Sequence, residues 1–134
     1  MNKLSGKIIF IESSQHMSIV DAEVSGDIFS AIILETPATA DYLKKEAEVT
    51  LLFKETEVSI AKNLSGQISL RNRFKAAVKK VDWSDILTKV TLSYKNTEIV
   101  SVISTRSAKR LDLKDKDEVE WLVKTNEVSL LGEG

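Results

Sequence analysis

The feature that most constrains this chain is that it is written twice. "LLFKETEVSIA", Leu51–Ala61, aligns with "WLVKTNEVSLL", Trp121–Leu131, at an offset of 70 residues. Lys54 falls on Lys124, and Glu57-Val58-Ser59 falls on Glu127-Val128-Ser129. The offset holds without a gap back through Val49 and Val119, Leu43 and Leu113, Ile33 and Ile103, Val20 and Val90, to Asn2 and Asn72. Chance gives one such match; a single register over about 60 positions marks a duplication.

Each copy is patterned as strands. Phe74, Ala76 and Val78 alternate, as do Val90, Leu92 and Tyr94 before a turn at Lys95-Asn96. Ile99–Ile103, Val119–Val123 and Val128–Leu131 supply three further apolar runs. Period-2 alternation of this kind means half-buried strands. "TRSAKRLDL", Thr105–Leu113, instead suits a short helix, with Ser104, Thr105 or Ser107 as N-cap. "TPATADYLKK" fills the same slot in the first copy, where Pro37 fits a first helical turn. Five short strands and one helical turn in about 65 residues predict a small OB-like barrel. The expected architecture is therefore all-β: two tandem OB-like five-stranded β-barrels, each with one short helix. Repeat 1 spans 1–62, a linker 63–68 and repeat 2 69–134.

Composition narrows the function classes. The 134 residues contain no cysteine, which excludes disulfides, thiolate metal sites and a thiol nucleophile. The longest apolar stretch at the N-terminus, Ile8–Ile11, is too short for a signal-peptide core. No run approaches the roughly 18 apolar residues of a membrane span. A cytoplasmic protein without membrane contact is expected. Net charge is −1, from 19 basic and 20 acidic residues, so the overall basic excess of a sequence-independent nucleic-acid binder is missing.

The chemistry concentrates at "SLRNRFKAAV", Ser69–Val78, which sets a hydroxyl, a guanidinium and a carboxamide at a strand entry. With "VSVISTRSAKRLDL" and "VEWLVKTNEVSL" further on, this stretch resembles the Mop repeat of molbindins, part of the wider TOBE group. The resemblance covers the whole chain as a tandem pair of Mop repeats, and three motifs in order and at family spacing carry it. Ala76 stands where the family has glycine, and Ser104 where it has threonine, which keeps the hydroxyl. The resemblance implies binding of a tetrahedral oxyanion, molybdate or tungstate, as ligand. Its implied binding set is Ser69, Arg71, Asn72, Ser104, Ser107, Lys124 and Thr125.

That set is chemically apt. The anion offers only acceptor oxygens, so its site must supply donors and positive charge. Arg71 presents a planar fork, Lys124 a compact ammonium, and the serines and Thr125 hydroxyls. The N–H groups opening the helix near Ser107 would add partial positive charge. Bland roles compete: an exposed Arg71, a turn-capping Ser69, and an Asn72 that satisfies local backbone. Asn2 and Lys54 recur at equivalent places, which favours partly structural roles for Asn72 and Lys124. Of Ser69, Arg71, Ser104 and Lys124, repeat 1 keeps only the lysine; Leu34 stands in place of Ser104 and Pro37 in place of Ser107. One full site per chain is expected.

Other constellations are weaker. His16 is the only histidine, and one cannot make a histidine-based metal site. "DLKDKDE", Asp112–Glu118, lacks the central glycine and spacing of a calcium loop. No nucleophile–histidine–acid set and no phosphate-binding Gly-rich loop occur. Trp121 shares its place with Leu51 and is expected in the core, while Trp83, in "VDWSD", would suit an interface. The function expected is non-catalytic storage, homeostasis or sensing of the oxyanion, in a homodimer with sites at the subunit interface. The alternatives are a sensing module working with a separate transcription regulator or transporter, and an OB-like module for single-stranded nucleic acid. The latter needs stacking aromatics in a basic groove, and aromatics are only 6% of the chain.

Overall fold

The computed structural model describes residues 1–133. Its regular structure is mostly antiparallel strands. These are β1 (Asn2–Ser13), β2 (Ser18–Val24), β3 (Asp27–Ile33), β4 (Glu48–Phe53), β5 (Ser59–Ala61), β6 (Asn72–Asp82), β7 (Leu87–Tyr94), β8 (Thr97–Ser104), β9 (Glu118–Val123) and β10 (Ser129–Gly132). One α-helix occurs among the described residues, α1 (Thr105–Arg110). The strands form two five-stranded sheets, ordered β10-β4-β1-β2-β3 and β5-β9-β6-β7-β8.

The strand inventory follows the alternation in the sequence. In β7, Thr88, Val90, Leu92 and Tyr94 are buried and the residues between them are not. The duplication is preserved in the backbone. β1 shifts register against β2 between Ile8 and Phe10, and β6 shifts against β7 at the equivalent place, between Val78 and Lys80. An extra residue at such a point bends the strand and increases its twist.

Sequence repeat and compact unit do not coincide. One unit contains Met1–Phe53 together with the chain from Lys124 on; the other is Lys54–Val123. The last strand of each repeat therefore sits in the other repeat's sheet. β10 pairs with β4, with Leu130 opposite Leu51, and β5 pairs with β9, with Ile60 opposite Trp121. Without these partners, β4 and β9 would be open edges with rows of unpaired N–H and C=O groups. Within the second unit, buried Ser101 donates to the Val58 carbonyl at 2.6 Å and ties the approach to β5 against β8. Within the first, Gly132 of β10 lies so close to the Tyr42 ring that a Cβ there would stand 2.7 Å from its Cγ.

The cores of the units differ in kind. The second is centred on Trp121, fully buried, with its ring centroid 5.2 Å from those of both Phe74 and Tyr94. The equivalent positions of the first hold aliphatic Leu51, Leu4 and Val24, all buried.

The helix expected in both repeats forms only in the second. In the first, Thr39 and Ala40 both donate to the Thr36 carbonyl, Leu43 donates to Ala40, and the segment continues as turns. The Thr36 N–H is satisfied by the Thr39 hydroxyl at 2.9 Å. Such local side-chain bonds compete with a helical ladder.

The exchange generates an asymmetric expectation for fragments. Residues 54–123 alone contain a complete sheet and should fold as a monomer. Residues 69–134, one whole sequence repeat, lack β5 and should be unfolded or self-associated. Circular dichroism with light scattering distinguishes the two outcomes.

Candidate functional site

Residues 62–71 have no regular structure, and none of them is buried. This strap carries Ser69 and Arg71, both exposed, to the start of β6. Asn72 then drops to 0% exposure and pairs with Val123. Asn2 in the first unit is also buried and pairs with Phe53. The structure thus sets Asn72 beneath the surface and apart in accessibility from Ser69 and Arg71. Lys124, exposed, and Thr125, half-buried, follow Val123 directly, and Thr125 opens a single 3-10 turn.

Ser104 and Ser107 are brought together. Ser104 ends β8 with extended backbone and caps α1; its Oγ accepts from the Ser107 N–H at 3.1 Å and donates to Ser107 Oγ at 2.9 Å. With that proton placed, the Ser107 hydroxyl is the one able to donate outward. The Ser107 N–H is consumed by the cap, and the Thr105 N–H donates to the Ile86 carbonyl at 2.8 Å. Those two N–H groups are therefore committed within the protein. Ser104, Ile86, Asp85 and Arg106 line an open depression of about 270 Å³.

Two threonines hold this corner: Thr88, which the sequence reading did not single out, and Thr105, which it offered only as an N-cap. Thr105 is buried, and its hydroxyl donates to the Ser84 carbonyl at 2.7 Å. That leaves its Oγ1 to accept from the Thr88 hydroxyl, 2.7 Å away and also buried. The signal was present: Thr88 falls in the inward phase of β7 with Val90 and Leu92. Arg106, beside Ser104, was likewise missed.

Sheet register separates the two donor groups within one chain. Ser104 pairs with Leu87 at the start of β7, while Tyr94 at the end of β7 pairs with Thr97. β6 runs antiparallel to β7, with Asp82 opposite Lys89 and Ala77 opposite Ser93. Asn72, with Ser69 and Arg71 before it, therefore lies toward the opposite end of the sheet from Ser104. On the order of 30 Å of strand path along β6 lies between the two ends.

The neighbouring charges are engaged internally. Arg73 donates through Nε to Glu120 at 2.5 Å and through one terminal nitrogen to Glu120 at 3.0 Å and to the Leu64 carbonyl at 3.1 Å. The hydrogen bond from Arg73 holds the Glu120 carboxyl below its ordinary range, and the Arg73 guanidinium is raised in return. Lys62 donates to the Leu111 and Asp112 carbonyls at 3.1 and 3.0 Å and to Asp117 at 2.9 Å. Asp117 is lowered by that bond and by the Lys114 N–H. One carboxylate of the acidic stretch 112–118 is therefore tied into the fold.

In the first unit, Leu34 replaces Ser104 and is 79% exposed. Glu55 occupies the repeat position of Thr125, a carboxylate in place of a hydroxyl. Tyr42 donates to Glu35 at 2.8 Å, and burial, reinforced by that carboxylate, pushes its hydroxyl up to about 12.

The second unit thus presents a strap entering one end of a five-stranded sheet and a capped short helix at the other. Residues 68–130 match the TOBE domain. The likeness to a solved protein extends further. The chain superimposes on the cytoplasmic molybdate-binding protein ModG, in a form with molybdate bound, with a TM-score of 0.90 and 26% identity, covering 96% of this chain and 94% of that one. A molybdate-binding protein from Sporomusa ovata is 38% identical over 49% of this chain and 98% of its own, with a TM-score of 0.48. Comparison with curated proteins finds no match.

Two outcomes follow. Ser104→Ala removes the cap and should destabilise the fold by about 0.5–2 kcal/mol, the range for lost N-caps, measured by urea unfolding. Glu120 has a lowered folded pKa, so its contribution is present above the ordinary carboxylate range, about 4.3, and is lost as pH falls through the folded value. Glu120→Gln should lower the Tm at neutral pH and flatten its fall below about pH 4.5, measured by thermal scans from pH 7 to 3.

Proposed function

We propose that this protein binds molybdate or tungstate without catalysing a reaction, as a cytoplasmic store, buffer or sensor. The observation that carries the reading is the whole-chain likeness to molybdate-bound ModG, joined to the donor set in repeat 2. Arg71 and Lys124 each lie one residue beyond the Asn72–Val123 pair, and both side chains are exposed. Ser69, Ser104, Ser107 and Thr125 add hydroxyls, while Asn72 anchors the strand entry. Phe74, Tyr94 and Trp121 are buried in the core, so they offer no stacking face for nucleic acid.

The separation of Ser104 from Arg71 along the sheet supports a site shared between two copies. A tetrahedral anion a few ångströms across does not span one sheet, so Ser104 and Ser107 of one protomer would face Ser69, Arg71 and Lys124 of its partner in a two-fold homodimer. Exposed Trp83, Ile86 and Leu87, near Ser104, supply apolar surface for such an interface. We further read each unit as a small OB-like barrel, supported by the approach of the edge strands β10 to β3 and β5 to β8.

Calorimetric titration with molybdate and tungstate, against sulfate and an oligonucleotide, tests the function. Heat with the first two alone is expected; no heat and no thermal shift with a folded sample removes the reading. Arg71→Ala should cost about 2–5 kcal/mol of binding, as for truncating one member of a buried charged hydrogen-bonded pair. Saturation is expected at one anion per chain, because Leu34, Pro37 and Glu55 replace hydroxyls in repeat 1. Mixing Arg71→Ala with Ser104→Ala protein should restore one intact site per heterodimer. A monomer by light scattering, or no recovery on mixing, rejects the shared site.

A further inference from the structure

The strap 62–71 brings Ser69 and Arg71 to the strand entry, yet no residue in it is buried. Its leucines, Leu64 and Leu70, are only half-buried, so apolar packing anchors it weakly. Asn63 and Leu64 border an open depression of about 450 Å³ that Ala76, Ala77 and Val119 also line. What holds the strap is polar. Lys62 grips three oxygens at one end. At the other, the Arg73 guanidinium is fixed on Glu120 by two bonds and extends a third to the Leu64 carbonyl. That third bond closes a loop from Leu64 to Arg73, and Ser69 and Arg71 both lie inside it.

We propose that Arg73, seated by Glu120, is a positioning residue for oxyanion binding: it closes the strap at its neck and holds Ser69 and Arg71 in place. The proposal rests on the oxyanion reading of the site. Only an arginine of this geometry serves, because one planar fork must satisfy a carboxylate and a carbonyl together. A lysine at position 73 could keep Glu120 as a point charge while loosening Leu64. Ordering a loosened strap at the moment of binding would weaken affinity, since each side chain immobilised on association carries an entropic cost.

The test uses full-length wild type, Arg73→Gln and Arg73→Lys. ¹⁵N relaxation in the anion-free protein reads the strap, calorimetry with molybdate reads affinity, and urea unfolding reads stability. Expected for Arg73→Gln are order parameters of residues 65–71 falling below about 0.6, the flexible range, with β7 and β8 unchanged, and affinity about tenfold weaker. Arg73→Lys should retain most of the stability yet keep part of the binding loss. Unchanged order parameters in the strap, or loosening spread equally over the whole unit, overturns the proposal. So does a loosened strap with undiminished affinity. If wild type binds no molybdate, the oxyanion reading fails and the positioning role falls with it, while the relaxation data still decide whether Arg73 fixes the strap.

Discussion

The pairing of β5 with β9 and of β10 with β4 is the constraint on which the rest of this structure depends. A repeat of about 65 residues buries a modest fraction of its chain, and an exposed sheet edge invites misassociation. Here each repeat supplies the strand that covers the other's edge. The chain leaves one compact unit after Phe53 and the other after Val123, and a lysine follows in both places. Lys54 and Lys124 share an extended backbone, with φ −75° and ψ 149° in one and φ −70° and ψ 143° in the other. The recurrence of that lysine belongs to the architecture as well as to ligand chemistry.

On this common backbone the two halves have diverged in packing and in chemistry. The second core is organised by three mutually contacting aromatic rings, the first by smaller aliphatic side chains at the same positions. The corner where β8 ends shows the divergence most directly. Ser104 can cap, so a helix starts; Leu34 has no acceptor to offer, and turns take its place. The same substitution removes a hydroxyl from the would-be site. Helix formation and donor supply are thus linked through one residue.

The geometry also sorts the cations of repeat 2. Arg71 and Arg73 are two residues apart in one motif, yet only Arg73 forms a bidentate pair with Glu120. Arg73 meets a glutamate because β9 brings Glu120 within reach, diagonally from Leu122, its register partner. Arg71 precedes the strand and stays on the strap, so a nearby charge in sequence and a nearby charge in space are different things.

The sequence by itself determined the duplication, the strands and their inward faces. An offset of 70 residues and a period of two are local regularities that survive folding. Through resemblance it also named the donor-bearing residues of repeat 2. Tertiary structure decided which strand completes which sheet, because β5 and β10 are short apolar runs that would suit either β4 or β9. It decided that repeat 1 has no helix, that Thr88 and Thr105 brace the Ser104 corner, and that Arg73 is spent on Glu120. It also set Ser104 and Arg71 toward opposite ends of one sheet, a consequence of antiparallel register among β6, β7 and β8. Each of these depends on pairings between residues far apart in the chain, and no local pattern of side chains encodes a partner that is chosen only when the chain closes on itself.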